Sequence, residues 1–211
     1  MEIISHRGYW KNNDEKNSVI AFKRSFELGF GTETDVRDFN GNLVISHDIP
    51  YGNEILLTQF LELVKNKDLS LALNIKSDGL AEKLFDALSL YNVKKAFVFD
   101  MSIPDQLSYF KHGEIQFFSR ASEYEPVISL YEECSGVWLD AFISIWYDSD
   151  YINNLLNDGK KVCIVSPELH KREDYKNLWR MLIDEKLSES DNIILCTDYP
   201  EEAALFFKES M

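Results

Sequence analysis

The sequence predicts an α/β fold: one small (β/α)8 TIM barrel spanning residues 1–211, with an extra β-hairpin strand after the second strand. Three observations carry this. Short apolar or β-branched runs alternate with helix-period segments from end to end, and such alternation implies a parallel sheet. There are eight such runs, which implies closure into a barrel. The length, 211 residues, is near the lower end for that fold, roughly 200 residues, so there is little room for an inserted domain.

In order, the strand-like runs are IIS (3–5), TETDV (32–36), LALNI (71–75), AFVF (96–99), IQFFS (115–119), GVWL (136–139), KVCIV (161–165) and IILCT (193–197). His6-Arg7-Gly8 follows the first run, where an open doubly wound sheet would carry a Gly-rich phosphate loop. That difference favours the barrel. Ser18 is placed to cap a helix with Val19, Phe22 and Phe26 on one stripe, closing at Gly29. Asp78 is placed to cap another, with Leu80, Leu84 and Leu88 at steps of four. A third carries Tyr175, Leu178 and Leu182, and weaker helices are expected after Leu57, Pro104, Glu123, Asp148 and Pro200. The run LVISH (43–47) follows the turn signal Asn40-Gly41 and reads as the hairpin partner of the second strand.

Acidic residues number 36 against 22 Lys plus Arg, a formal net charge of -14. That balance argues against nucleic acid or an anionic membrane as the main partner, since phosphate backbones recruit basic surfaces. A local Arg, Lys or metal still allows a small phosphate substrate. The start, MEIISHRG, lacks the pattern of a secretory signal, and no apolar run approaches the ~20 residues of a membrane span. A soluble, cytoplasmic protein is expected. Three cysteines suggest no disulfide framework, and Cys163 and Cys196 read as small core residues. Oligomeric state leaves no readable signal.

Barrel chemistry sits at the C-terminal strand ends. There the sequence puts His6 and Arg7, Glu33 and Asp35, Asn74 and Lys76, Asp100, Arg120, Asp140, Ser166 with Glu168 and His170, and Asp198, with His47 ending the extra strand. Asp100, Asp140 and Asp198 read more simply as helix caps or loop residues. Glu33 and Asp35, two apart on a strand, make a hard oxygen site suited to Mg2+ or Ca2+. An exposed acidic strand is the plain alternative. A three-residue loop at Phe39-Asn40-Gly41 would put Glu33 opposite His47 and gather Glu33, Asp35 and His47 on one face. A two-residue Asn40-Gly41 turn would put Thr34 opposite His47 instead. Chemistry favours the first register.

The pattern HRG, then NSVIAF, then GTETDVRDFNGNLVISHD resembles the glycerophosphodiester phosphodiesterase family, within the phosphatidylinositol-phospholipase-C-like superfamily. Its signature, His-Arg, Glu-x-Asp and His, falls on His6-Arg7, Glu33-Thr34-Asp35 and His47. The match covers residues 3–48 closely and continues loosely to TDYP (197–200). The resemblance implies a (β/α)8 barrel, a divalent cation on Glu33 and Asp35, acid–base roles for His6 and His47, and phosphate binding by Arg7. Where the family places a metal-binding Glu on the third strand, this chain has Asn74, two residues before Lys76. The family's inserted subdomain is absent. The expected function is cation-dependent hydrolysis of a small glycerophosphodiester-like substrate, with Mg2+ or Ca2+ on Glu33, Asp35 and Asn74 and with Arg7 and Lys76 holding phosphate oxygens. Arg120 is a further phosphate candidate. The alternatives are a cyclising, phospholipase-C-like phosphodiesterase and an altered barrel that only binds a phosphorylated ligand.

Overall fold

The computed structural model describes residues 1–209. Eight parallel strands close a ring: β1 (Glu2–His6), β2 (Gly31–Phe39), β5 (Leu71–Ile75), β6 (Ala96–Phe99), β7 (Gln116–Ala121), β8 (Gly136–Leu139), β9 (Lys161–Val165) and β10 (Ile193–Thr197). Closure comes from β1, which pairs with β10 on one side and β2 on the other. Two further strands, β3 (Asn42–Ile45) and β4 (Ile55–Leu56), lie outside the ring and pair antiparallel beyond β2. All eight sequence runs are ring strands.

The interior is filled from below. Ile4, Ala72, Phe97, Phe99, Phe118, Trp138, Cys163, Val165, Ile194 and Cys196 form one buried cluster. Ring stacking at 3.9 Å (Phe97–Phe118) and 3.7 Å (Phe99–Trp138) plugs the barrel, so the open space lies at the C-terminal mouth. Burial pushes the thiols of Cys163 and Cys196 well up, which suits inert core residues.

Seven α-helices surround the ring among the described residues. Ser18 caps α1 (Val19–Glu27) by accepting the Ala21 N–H, and Gly29 leaves the helix at a positive φ of 83°. Phe22 and Phe26 are buried on its inner stripe, whereas Val19 is exposed. Helices α2 (Leu57–Val64), α4 (Ile103–His112), α5 (Ser149–Asn157), α6 (Tyr175–Asp184) and α7 (Pro200–Glu209) fall where expected. Helix α3 (Ala81–Leu90) forms without the expected Asp78 cap, because that carboxylate instead accepts from the Ser102 hydroxyl.

Two further expectations fail. No helix follows Glu123. Its carboxylate accepts the N–H groups of Phe142, Ile143 and Ser144, and the Ser122 hydroxyl folds the chain into a turn ahead of Pro126. The three-residue hairpin loop is also wrong: Phe39 pairs with Asn42 and Val36 with Ile45. Asn40 (φ 47°) and Gly41 (φ 82°) both take positive φ, as a two-residue type I′ turn requires. Pairing ends at Ile45, so His47 reaches the mouth from the following loop rather than across from Glu33. No described helix is long and apolar enough to cross a membrane.

Candidate active site

The strand ends surround a cavity of about 290 Å³. His6, Arg7, Glu33, His47, Asn74 and Lys76 line its near side, and Asp100, Arg120, Asp140, Phe142 and His170 line the far side. Asp35 is absent from that wall. It is fully buried behind Arg7 and Lys76.

Strand β1 delivers His6 and then bends sharply. Arg7 has φ 58° and Gly8 φ 80°, and a Cβ on Gly8 would stand 2.7 Å from the Ala21 side chain, so glycine is required there. The bend turns the Arg7 N–H onto the Glu33 carboxylate (3.2 Å) and its guanidinium onto Asp35 (Nε to Oδ2, 3.0 Å). A non-glycine residue in this conformation carries strain of order 1–2 kcal/mol. Asp100, at the end of β6, has φ 69° as well.

His6 is held from behind. Its Nδ1 lies 2.8 Å from Oδ1 of Asp198, leaving Nε2 on the Glu33 side, 3.9 Å from Oε2. A carboxylate at Nδ1 selects the tautomer with its proton there and the Nε2 lone pair free. Burial pulls the His6 pKa below its usual value, and the Asp198 charge opposes this without cancelling it. His47 is different: half-exposed, its ring meets only the exposed Asp48 (2.9 Å), and its backbone carbonyl accepts from Arg37.

Asp35 gathers three partners. Arg7 and Lys76 (3.4 Å) pair with it, and the Asn17 amide donates to Oδ2 (2.9 Å). Glu33 is pushed well above the usual carboxylate range by burial and by the Asp35 charge. Across the β2–β5 ladder Asp35 is the register partner of Asn74. The Oδ1 atoms of both residues are buried without a hydrogen-bond partner. Among the described residues no three His, Cys, Asp or Glu side chains gather as metal ligands. The set Glu33, Asp35 and Asn74 has two carboxylates and one amide. The unpartnered Asn74 oxygen and the two neighbouring carboxylates, of which Asp35 Oδ1 has only Lys76 at 3.4 Å, are what a hard cation would satisfy.

The far wall carries two more pairs. Arg120 makes a double contact with Oδ1 of Asp100, and His170 Nε2 lies 2.6 Å from Asp140 Oδ1, with Phe142 against its ring at 4.5 Å. Asp100, Asp140 and Asp198 lie in the loops after their strands, as the simpler reading allowed, and their carboxylates also face Arg120, His170 and His6. Asn17 went unnoticed in the sequence. Its only local signal is its place directly before the Ser18 cap.

No family model matches the chain, and no curated protein matches it significantly. Solved structures do. A glycerophosphodiester phosphodiesterase from Agrobacterium tumefaciens superposes with a TM-score of 0.70 at 15% identity, covering 99% of both chains. A glycerophosphoryl diester phosphodiesterase from Parabacteroides distasonis gives 0.68 at 17% identity, covering 99% of this chain and 86% of that one. A Ca2+-dependent phosphatidylinositol-specific phospholipase C from Streptomyces antibioticus gives 0.59 at 10% identity, covering 98% and 95%. At such identities the likeness is one of fold, and it agrees with the barrel.

Proposed function

We propose that the chain is a phosphoric diester hydrolase that cleaves a small glycerophosphodiester-like substrate with the help of a divalent cation. The observation that carries this is the meeting of His6, Arg7, Glu33, Asn74, Lys76 and His47 around one cavity, with His6 aligned by the partly buried Asp198 carboxylate. The fold likeness to phosphodiesterases adds support.

Arg7 and Lys76 bring two positive charges to the near wall, where they bind phosphate oxygens. A Mg2+ or Ca2+ ion on Glu33, Asp35 and Asn74 would supply further charge stabilisation on the phosphate as negative charge develops. His6, held neutral by burial, takes a proton at Nε2 from the attacking water. The new O–P bond forms, the bond from phosphorus to the leaving alcohol breaks, and His47 gives its proton to the departing alkoxide. The products are a phosphate monoester and an alcohol.

Incubation with glycerophosphodiesters in 18O-labelled water tests this. One 18O in the phosphate monoester of a single turnover supports direct hydrolysis. A cyclic product first, without label, supports attack by a neighbouring substrate hydroxyl. No turnover across a broad diester screen overturns the enzyme reading.

A further inference from the structure

Beside the central cavity runs a second, larger groove of about 610 Å³, between residues 14–19 and the loop 46–54. Arg7 and His47 belong to both walls, so the two spaces meet at the point where the proposed reaction puts the phosphate. The groove displays Val19, Ile49 and Tyr51, exposed to 38%, 70% and 87%, with Ile45 and Ile55 also lining it. Scattered exposed apolar residues need no explanation, but several along one groove leading into a polar site do.

The display is built. Glu54 accepts the N–H groups of Tyr51 (2.6 Å) and Gly52 (2.7 Å), and these bonds hold its carboxyl below the usual range, so the loop is tied by a charged group. Gly52, at φ 106°, faces the Phe39 ring, which a Cβ there would meet at 3.4 Å, so the hairpin borders the loop from outside. Asp14, Asp48 and Glu54 border the groove. Of its cations, Arg7 is tied to Asp35 and Lys16 lies over the Trp10 ring at 4.3 Å. With Arg7 offset by Asp35, the border offers no surplus of positive charge to a second anionic group.

Resting on the phosphodiesterase reading, we infer that this groove is the leaving-group subsite, and that it selects an uncharged alcohol with an apolar alkyl body, contacted by Val19, Ile49 and Tyr51. His47 stands between groove and cavity, where a proton donor to that alcohol belongs.

The test compares three diesters sharing one glycerol phosphate half: a methyl ester, a hexyl ester and a carboxyhexyl ester, all too short to aggregate. Each buried methylene contributes about 0.8 kcal/mol, close to fourfold in kcat/KM, so even partial burial of the hexyl chain gives a hexyl-to-methyl ratio of about ten or more. The carboxylate tip should cancel that gain. In the double variant Ile49→Ala, Tyr51→Ala the ratio should fall to within about twofold of one, while Tyr51→Phe keeps it. A wild-type ratio near one, or a ratio untouched in the double variant, overturns the inference. If no ester is turned over, the phosphodiesterase reading fails first. The groove is then tested alone by calorimetric binding of the matching methyl and hexyl phosphonates, where the same preference, lost in the double variant, supports it and equal affinity overturns it.

Discussion

Nδ1 of His6 lies 2.8 Å from Oδ1 of Asp198, joining the first strand of the ring to the loop after the last, 192 positions apart in the chain. Closure of the barrel between β1 and β10 brings the two together. The carboxylate orients the ring and sets its tautomer, so it acts through His6 and is a positioning residue.

Asp198→Asn keeps the shape and removes the charge. An amide can present its N–H to Nδ1, which would move the ring proton to Nε2 and block the base. Turnover should fall by about 10²–10⁴-fold, the range for a lost general catalyst. The pH profile separates this from simple damage. His6 works neutral, and burial holds its pKa below 6.5, so the acid limb of kcat/KM should lie below pH 6.5. Asp198 raises that pKa, so the residual activity of the variant should show an acid limb at still lower pH. A limb that stays or moves up contradicts the assignment.

Metal removal is the second prediction. Chelator should abolish turnover, and Mg2+ or Ca2+ should restore it. Asn74→Glu should tighten cation binding in calorimetry, because it adds a carboxylate beside Asp35, its register partner. Full activity in excess chelator removes the cation from the mechanism. Unchanged affinity in Asn74→Glu means that position 74 does not face the ion.

Glu168 supports Asp198 from below, and its titration predicts a stability change. Its carboxyl accepts from the Thr197 hydroxyl and the Asp198 N–H, while its second oxygen is buried without a partner. Burial raises its pKa above the ordinary 4.5. An acid whose folded pKa exceeds its unfolded one contributes stability at low pH and loses it as pH rises through the folded value. Glu168→Gln keeps one acceptor and removes the ionisation. It should be more stable than wild type above the raised pKa, and its stability should vary less with pH in denaturant titrations from pH 4 to 8. An equal slope in both proteins would show that Glu168 does not carry this dependence.

The ring was readable because most of its strands, such as LALNI or KVCIV, are mainly apolar runs. The near wall was readable because His6, Arg7, Glu33 and His47 lie within one short stretch and Asn74 and Lys76 close the next strand. Long-range pairing was not. Nothing local ties Asp198 to His6 or Asp140 to His170, since both contacts exist only once the ring closes. The hairpin register misled because Gly41 suits a two-residue turn and a three-residue bulged loop equally, and Asn40 decides by also taking positive φ. Glu123 misled in another way: a weak helix was expected after it, yet its carboxylate serves the backbone of the neighbouring loop.

The three mouth histidines give the sharpest test, because they differ in support. His6 is backed by Asp198, His170 by Asp140, and His47 by the exposed Asp48 alone. If His6 and His47 share the acid–base work, each alanine variant should lose about 10²–10⁴-fold in turnover. His170→Ala should lose less than about tenfold, since it stands on the far wall, away from Arg7 and Lys76. Stability should sort differently. His6→Ala leaves the Asp198 carboxylate without its ring partner and should cost about 1–3 kcal/mol, whereas His47→Ala should stay within about 0.5 kcal/mol. The His47 pair is therefore the cleaner reading, because a loss of rate there comes with no loss of fold. Suppose His170→Ala matches His6→Ala in rate while His47→Ala stays active. Then the Asp140–His170 pair supplies the second proton transfer, and the leaving group departs across the far wall, past Phe142, instead of toward the loop that carries His47.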